Sequence, residues 1–122
     1  MTLDAQALAE RYAAVWNEAD PAVRRAEIEQ LWRPDGEHFV TTKEVRGYAG
    51  LEERVASAYD KNVRLGGHAF RAVRNAQKLR DVITFNWQMI DPASGKVLAV
   101  GLEFLRVDAD GRIASDHQFI VS

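Results

Sequence analysis

Around Gly66-Gly67 the spacing of apolar side chains changes from one that suits helices to one that suits strands. Before that point Leu3, Ala7, Leu8, Tyr12, Val15 and Trp16 recur with a period of about 3.6, as residues on one face of a helix do. After it the period is two. His68 to Val73, Leu79 to Ile90, Lys96 to Val107 and Arg112 to Val121 read as four strands. They are separated by Asn75-Ala76-Gln77-Lys78, Asp91-Pro92-Ala93-Ser94-Gly95 and Asp108-Ala109-Asp110-Gly111. Helices followed by strands, rather than alternating with them, predict an α+β domain: a strongly bent antiparallel sheet with the helices packed into its hollow and a pocket between the layers.

Three helices fit the first half. The first runs from Leu3 to about Ala19 and can be capped by Thr2 or Asp4. Asp20-Pro21 reads as an N-cap and first-turn proline for the second, which presents Ile28, Leu31 and Trp32. Pro34 is expected to end it, because the residue before a proline is pushed out of the α region. Asp35-Gly36 leads into an extended piece, Glu37 to Thr41. The third helix is expected from Gly47 to Gly50 onward, with Glu52 and Glu53 in its first turn and Leu51, Val55, Ala58 and Tyr59 on its apolar face.

With 122 residues and no linker, repeat or low-complexity tract, residues 1-122 are expected to form one domain around one core. The net charge of -2 is spread along the chain, which argues against nucleic-acid and membrane partners. Cysteine is absent, so disulfides, thiolate metal sites and a thiol nucleophile are excluded. The N-terminus has neither the charge nor the apolar run of a signal peptide; the expectation is a cytoplasmic protein. His38, His68 and His117 lie on separate elements without ligand spacing, so no metal site is expected. No phosphate loop, nucleophile elbow or dinucleotide fingerprint is present, and the expectation is no cofactor.

Leu98, Val100, Leu102 and Phe104 alternate with Val97, Ala99, Gly101, Glu103 and Leu105, so both faces of this strand are fairly apolar. Helices can cover one face. A second copy of the chain, in a homodimer, is the expected cover for the other.

The last hairpin carries the most chemistry. A four-residue loop over Asp108 to Gly111 would set Val107 opposite Arg112 and Glu103 opposite Asp116, with Gly101 opposite Gln118. Two carboxylates would then lie about 5 Å apart at Cβ, over the small residues Gly101, Ala99 and Ala114. Screened from water, they could not both ionise cheaply, so one would be a hydrogen-bond donor and the other a base. A three-residue loop closed by Asp108 and Arg112 would instead place Glu103 opposite His117. Glu103 and Asp116 pointing to solvent or pairing with arginines is the third possibility.

The stretch from Gly101 to Ile113, with its acidic residue and Asp-x-x-Gly-Arg-Ile turn, resembles the penultimate hairpin of the nuclear transport factor 2-like superfamily. The likeness is to its ketosteroid isomerase and SnoaL-like polyketide cyclase branches. Glu10-Arg11-Tyr12 leading to Asn17-Glu18-Ala19-Asp20 is similar to the first helix of these isomerases, and Val45-Arg46-Gly47 to the step into their third. The resemblance implies a cone-shaped roll with an antiparallel sheet mixed at its edge. It also implies an oxyanion hole made by Tyr12 and a protonated Glu103; the isomerases themselves have Asp in place of that Glu, one methylene shorter. A direct count places Val40 where the isomerase base stands. His38 and Asp116 are the candidates to replace it, and a cyclase-like acid/base position falls on Asp116 or Gln118.

Trp16, Trp32, His68, Phe85, Trp87 and Gln118 are the expected pocket wall, Phe85, Trp87 and Met89 sharing the face of Glu103. The leading expectation is cofactor-independent proton transfer on a small apolar carbonyl compound. Tyr12 and Glu103 would hold enolate charge while Asp116 or His38 moves the proton. A homodimeric, non-enzymatic ligand-binding or interaction module is the alternative.

Overall fold

The computed structural model describes residues 3–122. Thr2 lies outside them, and Asp4 is the cap of the first helix, α1 (Ala5–Val15), its side chain accepting the N–H of Ala7 at 3.0 Å. Helix α1 ends at Val15, before the expected Ala19. Asn17 then acts as a strand partner: its amide donates to Phe70 O at 2.7 Å and accepts the Phe70 N–H at 2.8 Å, clamping the helix end to the sheet. Arg24 is buried and donates to Glu18 O from both Nε and Nη2, satisfying a carbonyl left over beyond the helix.

Asp20 caps α2 (Pro21–Leu31) as expected. The helix stops at Leu31 rather than at the proline, and Trp32 is already extended, the first residue of β1 (Trp32–Val40). Pro34 falls inside β1, where the pairing with its neighbour is interrupted between Trp32 and Glu37; a missing N–H costs no ladder bond there. A two-residue turn, Thr41-Thr42, leads into β2 (Lys43–Arg46), a strand without turn-forming glycine or asparagine to announce it. Helix α3 (Gly47–Ala58) begins at Gly47, so Glu52 and Glu53 lie beyond its first turn, and it runs on into a wider, π-helical stretch, Tyr59–Leu65. Gly67, at φ 71°, reverses the chain into the sheet.

The strands that follow are β3 (Ala69–Ala72), β4 (Gln77–Leu79), β5 (Val82–Ile90), β6 (Val97–Val107) and β7 (Ile113–Ile120). Leu79 and Val82 were expected in one strand; Arg80, at φ 54°, folds the chain back so that they pair across a tight turn. The sheet is curved and ordered β2-β1-β7-β6-β5-β3, with β4 also on β5. β1 lies parallel to β7, and the other pairs are antiparallel, so the edge is mixed as expected.

The core lies between the helices and the concave face, where Leu8, Ile28, Leu31, Trp32, Val55 and Ile83 are buried. Each such aliphatic side chain contributes roughly 1.5–3 kcal/mol on leaving water. Leu98, Phe104, Phe119 and Val121 remain exposed. No helix among the described residues is long and apolar enough to cross a membrane.

Candidate functional site: a buried polar row beneath a cavity

The β6–β7 hairpin sets the site, and its register is neither of the two expected. Asp108 N–H donates to Arg112 O at 2.8 Å and closes a three-residue loop, with Gly111 at φ 81°. The first strand pair is Val107 with Ile113, but the next is Arg106 with Ser115. Ala114 is therefore an extra residue, a β-bulge, and beyond it Leu105 faces Asp116 and Glu103 faces Gln118. Asp116 becomes a diagonal neighbour of Glu103 on the same face, within reach of its longer side chain.

Four adjacent strands now each place one polar group on the concave face. His38 of β1 pairs with Asp116 of β7, and across β6 and β5 Glu103 pairs with Phe85 while Trp87 pairs with Gly101. His38 Nδ1 lies 2.8 Å from Asp116 Oδ2, and Tyr12 of α1 donates its hydroxyl to the same oxygen at 2.7 Å. Trp87 Nε1 donates to Glu103 Oε1 at 2.8 Å. Tyr12 thus meets Asp116, where Glu103 was the expected partner. His38, Glu103 and Asp116 expose no surface at all.

Burial raises the Glu103 carboxyl well above its ordinary range, and the neighbouring charge of Asp116 raises it further. Asp116 is pushed up by burial as well. Its net direction is nevertheless below the ordinary value, because the electrostatic interaction with His38 and the hydrogen bonds with Glu103, His38 and Tyr12 outweigh that penalty. Tyr12 is raised well above a normal phenol, first by burial and then by the neighbouring carboxyls of Asp116 and Glu103. The two carboxyls are thus driven apart, the proton being favoured on Glu103 and the charge on Asp116. Glu103 Oε2 and Asp116 Oδ1 are buried without any N–H or hydroxyl donor, which a carboxyl proton kept on Glu103 would remedy.

A cavity of about 390 Å³ opens above this row, between the sheet, α1, α3 and the π-helical stretch. Tyr12, Trp16, Trp87 and Gln118 line it, together with Val40, the residue found where an isomerase base was expected. Trp32, His68 and Phe85 do not. Trp32 is core, and Phe85 lies edge-on to Tyr12 at 5.6 Å. His38, Glu103 and Asp116 sit behind the wall, and of the buried network only Tyr12 and Trp87 reach the cavity. Arg54 of α3 closes the other side: its Cζ lies 5.1 Å from the centre of the Trp16 ring and its Nε–H points to His38 Nε2 at 3.4 Å. In the neutral ring that contact leaves the proton on Nδ1, facing Asp116.

Arg54, Lys43 and Lys61 were not among the sequence candidates. The signal for Arg54 was its place three residues after Leu51 and four before Ala58, a cation within an apolar helical stripe. Among the described residues no three His, Asp or Glu side chains gather as a metal-ligand set.

No protein-family model matches the chain, and no curated protein matches it. Solved structures do. A candidate isomerase of the SnoaL-like family from Agrobacterium tumefaciens superposes with a TM-score of 0.85 at 23% identity, over 97% of each chain. A nuclear transport factor 2-like protein of unknown function from Exiguobacterium gives 0.71 at 16% identity, covering 94% of this chain and 98% of that one. A candidate polyketide cyclase from Sinorhizobium meliloti gives 0.67 at 12% identity, over 96% and 100%. At these identities it is the fold that is shared, and the chain has the nuclear transport factor 2-like fold in its cone-shaped α+β form.

Proposed function

We propose that the protein catalyses cofactor-independent proton transfer on a small, largely apolar carbonyl compound held in this cavity, with Asp116 as the base and Tyr12 as its relay. The observation that carries this reading is the 2.7 Å hydrogen bond from Tyr12, at the cavity wall, to the buried Asp116, whose carboxyl is held below its ordinary value. A proton leaves the carbon beside the carbonyl for the Tyr12 oxygen as the phenolic proton passes to Asp116 Oδ2. The C–H electron pair becomes an enolate, and Arg54 faces the negative oxygen. Return of the proton, to the same carbon or a conjugated one, regenerates the site with no co-reactant. His38 and Glu103 hold Asp116 in place and keep it ionised.

Exchange of α-protons into heavy water, followed by NMR for a panel of apolar ketones, tests this. Wild-type protein should accelerate exchange and Tyr12→Phe and Asp116→Asn should not. Undiminished exchange by Tyr12→Phe defeats the relay.

A ligand-binding module without chemistry is the second reading, favoured by the fact that neither carboxylate nor imidazole lines the cavity and that Val40 is apolar. Binding without exchange would decide for it. In either case a second copy of the chain is proposed to cover Leu98, Phe104, Phe119 and Val121 on the outer face of the sheet. Sedimentation as a dimer that Phe104→Glu dissociates is the expected outcome.

A further inference from the structure

The charges around the cavity are one-sided. Its polar wall contains Lys43, Arg54 and Lys61 and not one Asp or Glu. The acids adjacent in sequence to the two lysines are occupied or turned elsewhere: Asp60 pairs with Arg64 at 3.0 Å, and Glu44 lines a separate shallow groove that Lys43 also borders. Glu103 and Asp116 are sealed beneath the floor. Among the described residues neither lysine has a carboxylate within ion-pair distance, and Arg54 has one hydrogen bond, the long one from Nε to His38. Its Nη1 and Nη2 groups have no protein partner there.

A guanidinium is expensive to bury and is seldom left without an acceptor. Arg54 is half-buried, stacked on Trp16 and held by its Nε, which fixes the plane of the fork and leaves four N–H groups on the terminal nitrogens for something else. The rest of the wall is uncharged: Trp16, Val40, Phe70, Trp87, Met89 and Ile120 make it largely apolar, with Tyr12, Thr42, Ser57, Asn62 and Gln118 as its neutral polar groups.

We infer that the ligand of this cavity is a small apolar acid, bound by its carboxylate to the free edge of Arg54, with Lys43 and Lys61 drawing it in at the mouth. This narrows the carbonyl compound proposed above to one that carries an anionic group, and it rests on the cavity being the ligand site, not on any turnover there. A carboxylate matches a guanidinium edge with two parallel hydrogen bonds, whereas an amide of the same shape brings two N–H groups against a donor. The hydrocarbon body would lie on the tryptophans.

Calorimetric titration with 4-phenylbutanoate and with 4-phenylbutanamide tests this on the wild-type protein. The acid should bind roughly tenfold or more tightly than the amide, as expected of charge-assisted hydrogen bonds. Arg54→Gln should remove most of that difference between acid and amide, and Arg54→Lys should restore part of it. Added salt should weaken the acid alone. Equal affinity for acid and amide, or failure of the acid to bind, overturns the inference. Because the acid and amide are compared on wild-type protein, a variant that does not fold leaves the test intact. Selective binding of the acid with no proton exchange on any ketone sinks the catalytic reading and keeps this one. Exchange on neutral ketones with no preference for the acid does the reverse.

Discussion

Trp87 donates its indole N–H to Glu103 across the bare Cα of Gly101. A Cβ on Gly101 would stand 2.0 Å from Trp87 Cε2, so only glycine lets the indole lie flat enough on β6 for its nitrogen to reach the carboxyl at 2.8 Å. Gly101→Ala should therefore displace the ring. A loss of about 1–3 kcal/mol, the usual cost of overpacking, is expected from urea denaturation, together with a shift in tryptophan emission. Unchanged emission would mean that Trp87 is not held there.

Glu103 should make the protein less stable as pH rises. Its carboxyl is raised above the usual value of 4.5, so the folded state keeps a proton that the unfolded chain has released. The stabilisation is complete below that value and is lost as pH climbs through the folded one. Asp116 works in the opposite sense: its contribution is present above 3.8 and is lost as pH falls through its depressed folded value. Urea midpoints taken from pH ~5 to ~9 should fall for wild type and stay flatter for Glu103→Gln.

Asp116 accepts from Tyr12 and His38 on one oxygen, so removing it strands two buried donors. Asp116→Leu should cost about 3–5 kcal/mol, the range for breaking a buried pair from one side. Changing His38 to Leu in the same molecule should recover part of that loss, because the stranded imidazole is gone. Strict additivity of the two substitutions in a double-mutant cycle would show that the residues are not coupled.

Ala114 is the spare residue of the bulge, and its deletion should be tolerated. Without it Ile113 and Ser115 become neighbours in a regular ladder, Ser115 still pairs with Arg106, and Asp116 still faces inward. The deletion should cost less stability than Asp116→Leu and keep the near-ultraviolet circular dichroism of the buried aromatics. A loss as large as that of Asp116→Leu would mean that the bulge's twist, and not only its residue count, is required.

The two-layer order, the capping of α1 and α2 by Asp4 and Asp20 and the turn at Gly67 could be read from the chain because each depends on residues close in sequence. So could the shared face of Phe85, Trp87 and Glu103, which survives a register shift at Met89/Ile90. Strand β2 and the fold-back at Arg80 could not. Their turns, Thr41-Thr42 and Arg80-Asp81, lack the residues that usually mark a hairpin, and it is pairing with β1 and β5 that makes them strands.

The register of the final hairpin shows most clearly where sequence stops. Composition and period placed Glu103 and Asp116 in one hairpin without deciding whether they meet, and the period change at Gly66-Gly67 predicted that helices would cover it. Strict alternation, however, puts Ile113 and Asp116 on opposite faces, and both are buried on the same one. One bulged alanine reconciles them, and the burial of Ile113 in the core together with the parallel pairing of Asp116 to His38 is what favours it. Those are contacts between residues far apart in the chain. The same holds for the cavity: that its wall carries Arg54, Lys43 and Lys61 while the acids lie beneath it depends on how three separate segments close over the sheet, and charge along a sequence has no inside or outside until they do.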